Sequence, residues 1–295
     1  MNNLYLNISK PRKDVKKISG QANHFLITIL VGLDSIKKND ITLPPEFRTS
    51  WNPKDKIRSV LRSREYALNS SLAWAVDCLD AYFTKINQYP KLIEGEYLQS
   101  KIDGSGRSVY ERYNIFSDYI MSNNFTKEDF ALYKAFIDLA IQWRNNTTHY
   151  NAENVIQKRN ETTLIKNTDI IKEKFCGLII EETLKHFNEG KAPTFKEVTS
   201  LIRATQKYIE ILDIFLLTRI DIVRYTYDLL NRFFAENMNE KILYSTLTKE
   251  RRDIKINNIL HNWSFSESKT ESGVCLQNAI LKEISDKLIE SWAKQ

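Results

Sequence analysis

The sequence predicts an all-α fold, a helical bundle with an additional C-terminal helical region. Glycine and proline are scarce, at 8 and 6 in 295 residues, and few turn-formers over such a length favour long helices over many short strands. Apolar residues recur at helical spacing, and no segment shows convincing strand alternation. With 42% hydrophobic and 27% charged residues, the chain has a globular composition and can bury a sizeable core.

The helical spacing predicts the elements in order. Residues 1–14 are polar and basic and are expected to form a mobile arm. Helices are expected over residues 16–37, 52–86, 108–121, 126–144, 167–187, 194–234, 239–262 and 274–293. Residues 91–107 and 264–273 are expected to be loops.

Three of these helices begin with recognisable capping residues. Asn52 followed by Pro53 combines an N-cap with a proline at the first helical position. Thr194 with Glu197 forms a capping box. Thr126 precedes acidic residues that are favourable in a first turn. The helix that begins near Thr126 carries an apolar stripe, and Arg144 occupies the next position of that stripe. The four residues after Arg144 have poor helix propensity and are expected to end the helix there.

The charge and the cysteines restrict the possible functions. Lys and Arg outnumber Asp and Glu by 43 to 37, a net charge of +6 that permits binding to a polyanion without demonstrating it. The cysteines are odd in number and too far apart for a disulfide framework or a zinc site. They are Cys78, Cys176 and Cys275, of which the first two lie among apolar residues and are expected to be buried and inert. We expect no cofactor and no metal ion.

No segment is expected to enter a membrane. Residues 1–20 lack the apolar stretch of a signal peptide. The most apolar run, residues 208–217, is interrupted by Glu210 and Asp213 and is too short to span a bilayer. We therefore expect a cytoplasmic protein with no membrane partner.

The segment from Arg144 to His149 is the strongest candidate for chemistry. Arginine holds a phosphate through a planar, two-pronged set of donors, and histidine can exchange a proton at neutral pH. The bare Arg–His spacing is barely above chance, but Asn145 directly after the arginine makes it more specific. The inward position of Arg144 adds to this, because a lone inward charge is costly without a partner.

Two alternatives stay open for the charged residues. Arg144 could instead cap its helix and interact with the helix dipole. Glu65 lies on the apolar stripe that starts at Leu61 and is predicted to point inward, where it needs a cationic partner. We expect Arg144 on a facing helix to be that partner. The alternatives are a purely structural ion pair, or pairing with Arg62 or Arg64.

Arg-Asn-x-x-x-His at the end of a helix in an all-α chain resembles the HEPN superfamily (higher eukaryotes and prokaryotes nucleotide-binding). Arg144, Asn145 and His149 match the signature position by position. The resemblance implies a metal-independent endoribonuclease of the toxin–antitoxin, abortive-infection or CRISPR-associated type, although some members only bind or dimerise. One subgroup carries tyrosine two positions after the histidine. Here that position is Asn151, and Tyr150 lies one residue earlier.

The resemblance also implies a domain organisation. It covers residues 51–190, which are predicted to form a HEPN-like bundle of antiparallel helices. Residues 1–50 are then an N-terminal arm and helix, and residues 191–295 are a C-terminal helical region that resembles no family.

Cleavage of RNA by internal transesterification requires a base, an acid and a cation on the phosphorane. One copy of the motif cannot fill all three roles, so we expect a homodimer with the site at its interface. His149 is the predicted acid and base, Arg144 the phosphate clamp and Asn145 an orienting donor. Glu65 is the predicted assisting acid, since acidic residues at a comparable place assist some HEPN sites.

The predicted partners are an RNA substrate, a second copy of the chain, and an antitoxin or defence-complex protein. Two other functions stay open. The chain could be a non-catalytic helical interaction module, in which Arg144 is only a structural cap. It could also be an inactive subunit of a defence complex that docks through the helix over 194–234.

Overall fold

The computed structural model describes residues 2–38, 53–123, 125, 129–149, 152–270 and 272–293. The all-α prediction is confirmed, since helices dominate the described chain and its sheet has three very short strands. Among the described residues, no helix has both the length and the apolar character needed to cross a membrane.

The described elements have the following limits. The strands are β1 (Leu4–Leu6), β2 (Phe265–Ser266) and β3 (Val274–Leu276). The helices are α1 (Lys10–Lys38), α2 (Lys56–Ile86), α3 (Glu96–Gly104), α4 (Val109–Ser122), α5 (Phe130–Thr148), α6 (Lys158–Lys166), α7 (Thr168–Lys174), α8 (Ile180–Asn188), α9 (Phe195–Leu217), α10 (Ile222–Glu236), α11 (Met238–Thr246), α12 (Lys249–Asn262) and α13 (Asn278–Ala293).

The chain packs as two compact units. The first comprises Met1–Val15, Asp80–Lys127 and Ile209–Gln295, and the second comprises Lys16–Leu79 and Glu128–Tyr208. The divisions fall inside α1, α2 and α9, so each of these helices supplies residues to both units. The three regions predicted from the sequence, with limits at residues 50 and 190, stay a prediction.

In the first unit, the N-terminal residues form the middle strand of the sheet. β1 pairs antiparallel with β2 and with β3, and Leu4 and Leu6 are buried. Ser9 then precedes α1, and its hydroxyl accepts a hydrogen bond from the N–H of Arg12 at 3.2 Å, as an N-cap does. The prediction of a mobile arm over residues 1–14 is therefore wrong. Leu4 and Leu6 have a single residue between them, and so short an alternating pattern does not reveal a strand in the sequence.

In the second unit, apolar residues of α1, α2 and α9 pack together as one cluster. Its members are Leu26, Leu30, Ala67, Leu68, Ala75, Val198 and Ile202. α5 is buried along most of its length, at Phe130 and at every position from 132 to 143. Arg144 therefore lies near the end of a helix that is buried on all sides along most of its length.

Two predicted helix starts are confirmed and two lie outside the described residues. The Ser108 hydroxyl accepts from the N–H of Glu111 at 3.2 Å at the start of α4. In the capping box, the N–H of Thr194 donates to Glu197 Oε2 at 2.6 Å, and the N–H of Glu197 donates to the Thr194 hydroxyl at 3.3 Å. Asn52 and Thr126 fall outside. The described start of α2 is Lys56, after Asp55, which accepts from the N–H of Arg58 at 2.9 Å.

The helix predicted over residues 194–234 is two helices. Asp221 caps α10, since its carboxylate accepts from the N–H groups of Val223 and Arg224 at 3.0 and 3.1 Å, and this capping ends the continuous pattern. Two other predicted helices are also pairs of helices: α7 and α8 occupy the region of residues 167–187, and α11 and α12 occupy that of residues 239–262. The predicted loops over residues 91–107 and 264–273 contain α3 and β2 respectively, and the sequence does not predict α6.

Candidate functional site

Trp143 fixes the last turn of α5. Its side chain is buried, its Nε1 donates to the backbone oxygen of Lys191 at 3.1 Å, and its ring meets Phe187 edge-on with 5.9 Å between centroids. Burial combined with an oriented hydrogen bond leaves an indole little freedom. Packing therefore sets the position of the next residue, Arg144.

Asp138, earlier on α5, is a buried carboxylate with its hydrogen bonds in place. Its Oδ2 accepts from the backbone N–H of Gln157 at 2.9 Å and from the amide of Asn160 at 2.6 Å. Its Oδ1 accepts from the amide of Gln142 at 3.2 Å. These bonds tie α5 to the start of α6, and a buried carboxylate bonded in this way serves the fold.

α5 continues for four residues beyond Arg144, through Thr148. The hydroxyls of Thr147 and Thr148 both donate to the carbonyl oxygen of Arg144, at 3.0 and 2.8 Å. Threonine hydroxyls inside a helix commonly bond back to the preceding turn in this way. The predicted helix end at Arg144 is therefore one turn too early, whereas His149 does lie just past the last helical residue.

The side chain of Asn146 holds the segment that follows α5. Its Oδ1 accepts from the backbone N–H of Asn154 at 2.7 Å and from the amide of Asn154 at 3.0 Å. Its Nδ2 donates to the backbone oxygen of Asn154 at 2.9 Å. In addition, the N–H of Ala152 donates to the carbonyl of His149 at 3.2 Å. The backbone on both sides of His149 is therefore tied to the helix end.

Arg144 is mostly buried but incompletely paired. Its side chain is 18% exposed, and its Nε is buried without a hydrogen-bond partner among the described residues. The carboxylate that faces it is Asp77 on α2, with 3.9 Å between Arg144 Nη2 and Asp77 Oδ1. Because the Asp77 side chain is 65% exposed, this long pair contributes little stability. The guanidinium therefore keeps donors for a ligand.

His149 is exposed and Asn145 is half-buried. The backbone N–H of His149 donates to the carbonyl of Asn145 at 3.1 Å, and His149 itself is extended, with φ −109° and ψ 120°. The amide of Asn145 forms no hydrogen bond within the described part of the chain. Both side chains can therefore be reached by a ligand. Tyr150 and Asn151, which bear on the tyrosine subgroup, lie outside the described residues.

The predicted inward position of Glu65 is wrong, because Glu65 is exposed. Near its start, α2 buries Val60 and Ala67, whereas Leu61 is 49% exposed, so the buried face is turned away from Glu65. Glu65 also lies twelve residues from Asp77, about 18 Å along the helix. Any catalytic role of Glu65 stays a prediction. Sequence reasoning missed Asp77, whose position on the exposed face of α2 gives no signal by itself.

The thiols and carboxylates of the described residues provide neither a metal site nor a reactive thiolate near Arg144. No group of three or more His, Cys, Asp or Glu side chains suited to a metal ion lies in the described ranges. Burial and the neighbouring charge of Asp77 raise the pKa of the Cys78 thiol to about 11, so Cys78 is protonated at neutral pH and unreactive. Cys176 is exposed, so the expectation that it is buried is wrong.

A cavity of about 430 Å³ lies in the first unit and contains none of the four predicted site residues. Its lining includes Tyr89, Lys91, Glu94, Arg224 and Asp228. Burial and a hydrogen bond with Asp228 raise the pKa of Tyr89 to about 12, so its phenol is neutral at physiological pH. The cavity mixes both signs of charge and indicates no particular ligand.

Comparison of the chain with protein-family models, with curated proteins and with solved structures found no match. The resemblance to the HEPN superfamily therefore rests on the motif residues alone.

Proposed function

We propose that this chain is a metal-independent endoribonuclease of HEPN type, that two copies form its site, and that it acts as a toxin or phage-defence effector. The observation that carries the proposal is Arg144, a mostly buried arginine whose Nε has no partner among the described residues. It lies five residues before the exposed His149. A purely structural arginine would be expected to have its buried donors satisfied.

The proposed reaction is an internal transesterification. His149 takes the proton of a 2′-hydroxyl, and the 2′-oxygen attacks the adjacent phosphorus. Arg144 and Asn145 donate to the phosphate oxygens and stabilise the charge of the transition state. The bond from phosphorus to the 5′-oxygen breaks, and a second protonated imidazole gives its proton to that leaving oxygen. The products are a 2′,3′-cyclic phosphate and a 5′-hydroxyl.

The second imidazole requires a second copy of the chain. One copy supplies one histidine and one arginine at the end of α5, and a two-fold axis near this end would supply two of each. His149 of the partner subunit is then the acid when His149 of the first subunit is the base. Asp77 holds Arg144 loosely enough, at 3.9 Å, for a phosphate to replace it.

The test is cleavage of RNA by purified protein in the presence of EDTA. The wild type is expected to cleave and to leave cyclic phosphate ends. His149→Ala and Arg144→Ala are each expected to reduce the rate by roughly a hundredfold or more, as the loss of an acid–base group or a charge-stabilising donor does. Cleavage that persists in both variants, or that EDTA abolishes, contradicts the proposal.

The second candidate is a non-catalytic interaction module, and one observation favours it. α1 exposes apolar side chains within two turns, with Phe25 and Val31 each 64% exposed and Ile27 and Ile29 about half exposed. At 100° per residue, Phe25 and Ile29 share one side of α1, and Ile27 and Val31 share the other. Exposed apolar side chains grouped in this way are typical of a protein interface. This candidate predicts that Phe25→Glu changes the mass of the particle in solution, while His149→Ala leaves every property of the protein unchanged.

A further inference from the structure

One face of α2 combines exposed aromatic and basic residues. Tyr66 is 76% exposed and Trp74 is 47% exposed, and Arg62 and Ser70 are also exposed. At 100° per residue, these four positions and Asp77 fall within an arc of about 120° on the helix. We call the surface formed by Arg62, Tyr66, Ser70 and Trp74 the α2 aromatic face.

The α2 aromatic face leads to the candidate site. Trp74 lies three residues before Asp77, and residues at this spacing are neighbours on a helix surface. Asp77 in turn faces Arg144 at 3.9 Å. The indole of Trp74 is therefore within about one helical turn of the contact between α2 and Arg144.

The chemistry of the α2 aromatic face fits single-stranded nucleic acid. Proteins bind such strands by stacking bases on aromatic rings and by pairing phosphates with basic groups. Tyr66 and Trp74 are about 12 Å apart along the helix, so each would stack on a different base. Arg62 forms no ion pair with the described residues, and the Arg144 side chain is 18% exposed, so a basic group lies at each end.

We propose that the α2 aromatic face binds single-stranded RNA and delivers its phosphate to Arg144, with a base stacked on Trp74. The inference rests on the proposed ribonuclease function for the identity of the strand. A protein partner accounts less well for the same surface, because an apolar helix would leave the donors of Arg144 and Arg62 unpaired. Double-stranded RNA does not fit, since its bases are paired and cannot stack on a side chain.

The test measures the affinity of His149→Ala protein, which should leave RNA uncut, for a labelled single-stranded RNA. Adding Trp74→Ala is expected to weaken binding by roughly 5- to 100-fold, as the loss of one stacked base does, and Trp74→Phe should restore most of it. Tyr66→Ala should weaken binding to a smaller extent because its ring lies further from Arg144. Tyr97→Ala, which removes a 68% exposed tyrosine of α3, is the matched control and should bind as the parent does.

The outcomes separate this inference from the ribonuclease proposal. If Trp74→Ala weakens binding while the wild type never cleaves RNA, the α2 aromatic face is supported and the nuclease is contradicted. If the wild type cleaves and Trp74→Ala binds as tightly as the Tyr97 control, the face is contradicted and the nuclease is not. A lower particle mass in Trp74→Ala, measured by sedimentation, would assign the face to a protein interface and overturn the inference.

Discussion

Asp138 and Arg144 are charged residues of one helix, six positions apart, and their surroundings differ. Asp138 is fully buried, and its carboxylate accepts three hydrogen bonds. Arg144 is partly exposed, has a buried Nε without a partner among the described residues, and faces the carboxylate of Asp77 at 3.9 Å. The first arrangement is what the fold requires of a buried charge. The second leaves hydrogen-bond donors of the guanidinium without acceptors, which is what a ligand site requires.

The largest loss of stability is expected from Asp138→Ala. The change removes the carboxylate that accepts from the N–H of Gln157 and the amides of Asn160 and Gln142, and losing a buried acceptor of several hydrogen bonds is costly. The free energy of unfolding, measured by urea denaturation, should fall by about 3 kcal/mol or more. Asp138→Asn keeps one acceptor oxygen and should lose less. A loss in free energy of unfolding below about 1 kcal/mol in Asp138→Ala would show that the fold does not depend on the hydrogen bonds of Asp138.

A smaller effect is expected from Asn146→Ala, which removes three hydrogen bonds to Asn154. The loss in free energy of unfolding should be about 1–2 kcal/mol, and RNA cleavage should fall because His149 is held less firmly. Asn145→Ala is the matched control for stability, since the amide of Asn145 forms no bond with described residues; it is not a control for cleavage, because Asn145 belongs to the proposed site. Equal losses of stability in the two variants would show that the hydrogen bonds to Asn154 are not what holds this segment.

The loose pair between Arg144 and Asp77 should matter little for stability. Asp77→Asn is expected to change the free energy of unfolding by less than about 1 kcal/mol, because the pair is long and solvated. The same variant should bind RNA at least as tightly as the wild type, since Arg144 loses a competing acceptor. A large destabilisation would indicate that Arg144 is held by a structural ion pair with Asp77 and is not free to bind a phosphate.

The smallest effect on stability is expected from His149→Ala. His149 is exposed, and only its backbone groups bond to described residues. Thermal unfolding should show a change within about 0.5 kcal/mol, as for other surface substitutions. A larger loss would show that the imidazole supports the helix end, and that a fall in cleavage could not be assigned to chemistry.

Local signals in the sequence predict the helical class of the chain but not the full length of α5. The all-α class follows from local signals, because glycine and proline scarcity and apolar spacing act within a few residues. The extra turn of α5, which ends at Thr148, does not follow, because the poor helix propensity of residues 145–148 predicts that the helix ends at Arg144.

The features of the site that the sequence does not predict depend on contacts between residues far apart in the chain. The apolar stripe of α2 predicts an inward Glu65, but the neighbouring elements decide which side of a helix start is covered. The structure buries Val60 and Ala67 there. The pairing of Asp77 with Arg144 joins residues 67 positions apart, and no periodicity within one helix encodes it. The hydrogen bonds of Asp138 with Gln157 and Asn160 are equally invisible, because they cross a loop.

The most direct test of the central claim, that the end of α5 serves binding rather than folding, is Arg144→Lys. Lysine keeps the charge and much of the stem but loses the planar fork. We expect the free energy of unfolding to change by less than about 1 kcal/mol, and RNA cleavage to fall by roughly a hundredfold. A variant that loses about 3 kcal/mol of stability and cleaves RNA as the wild type does would contradict the claim.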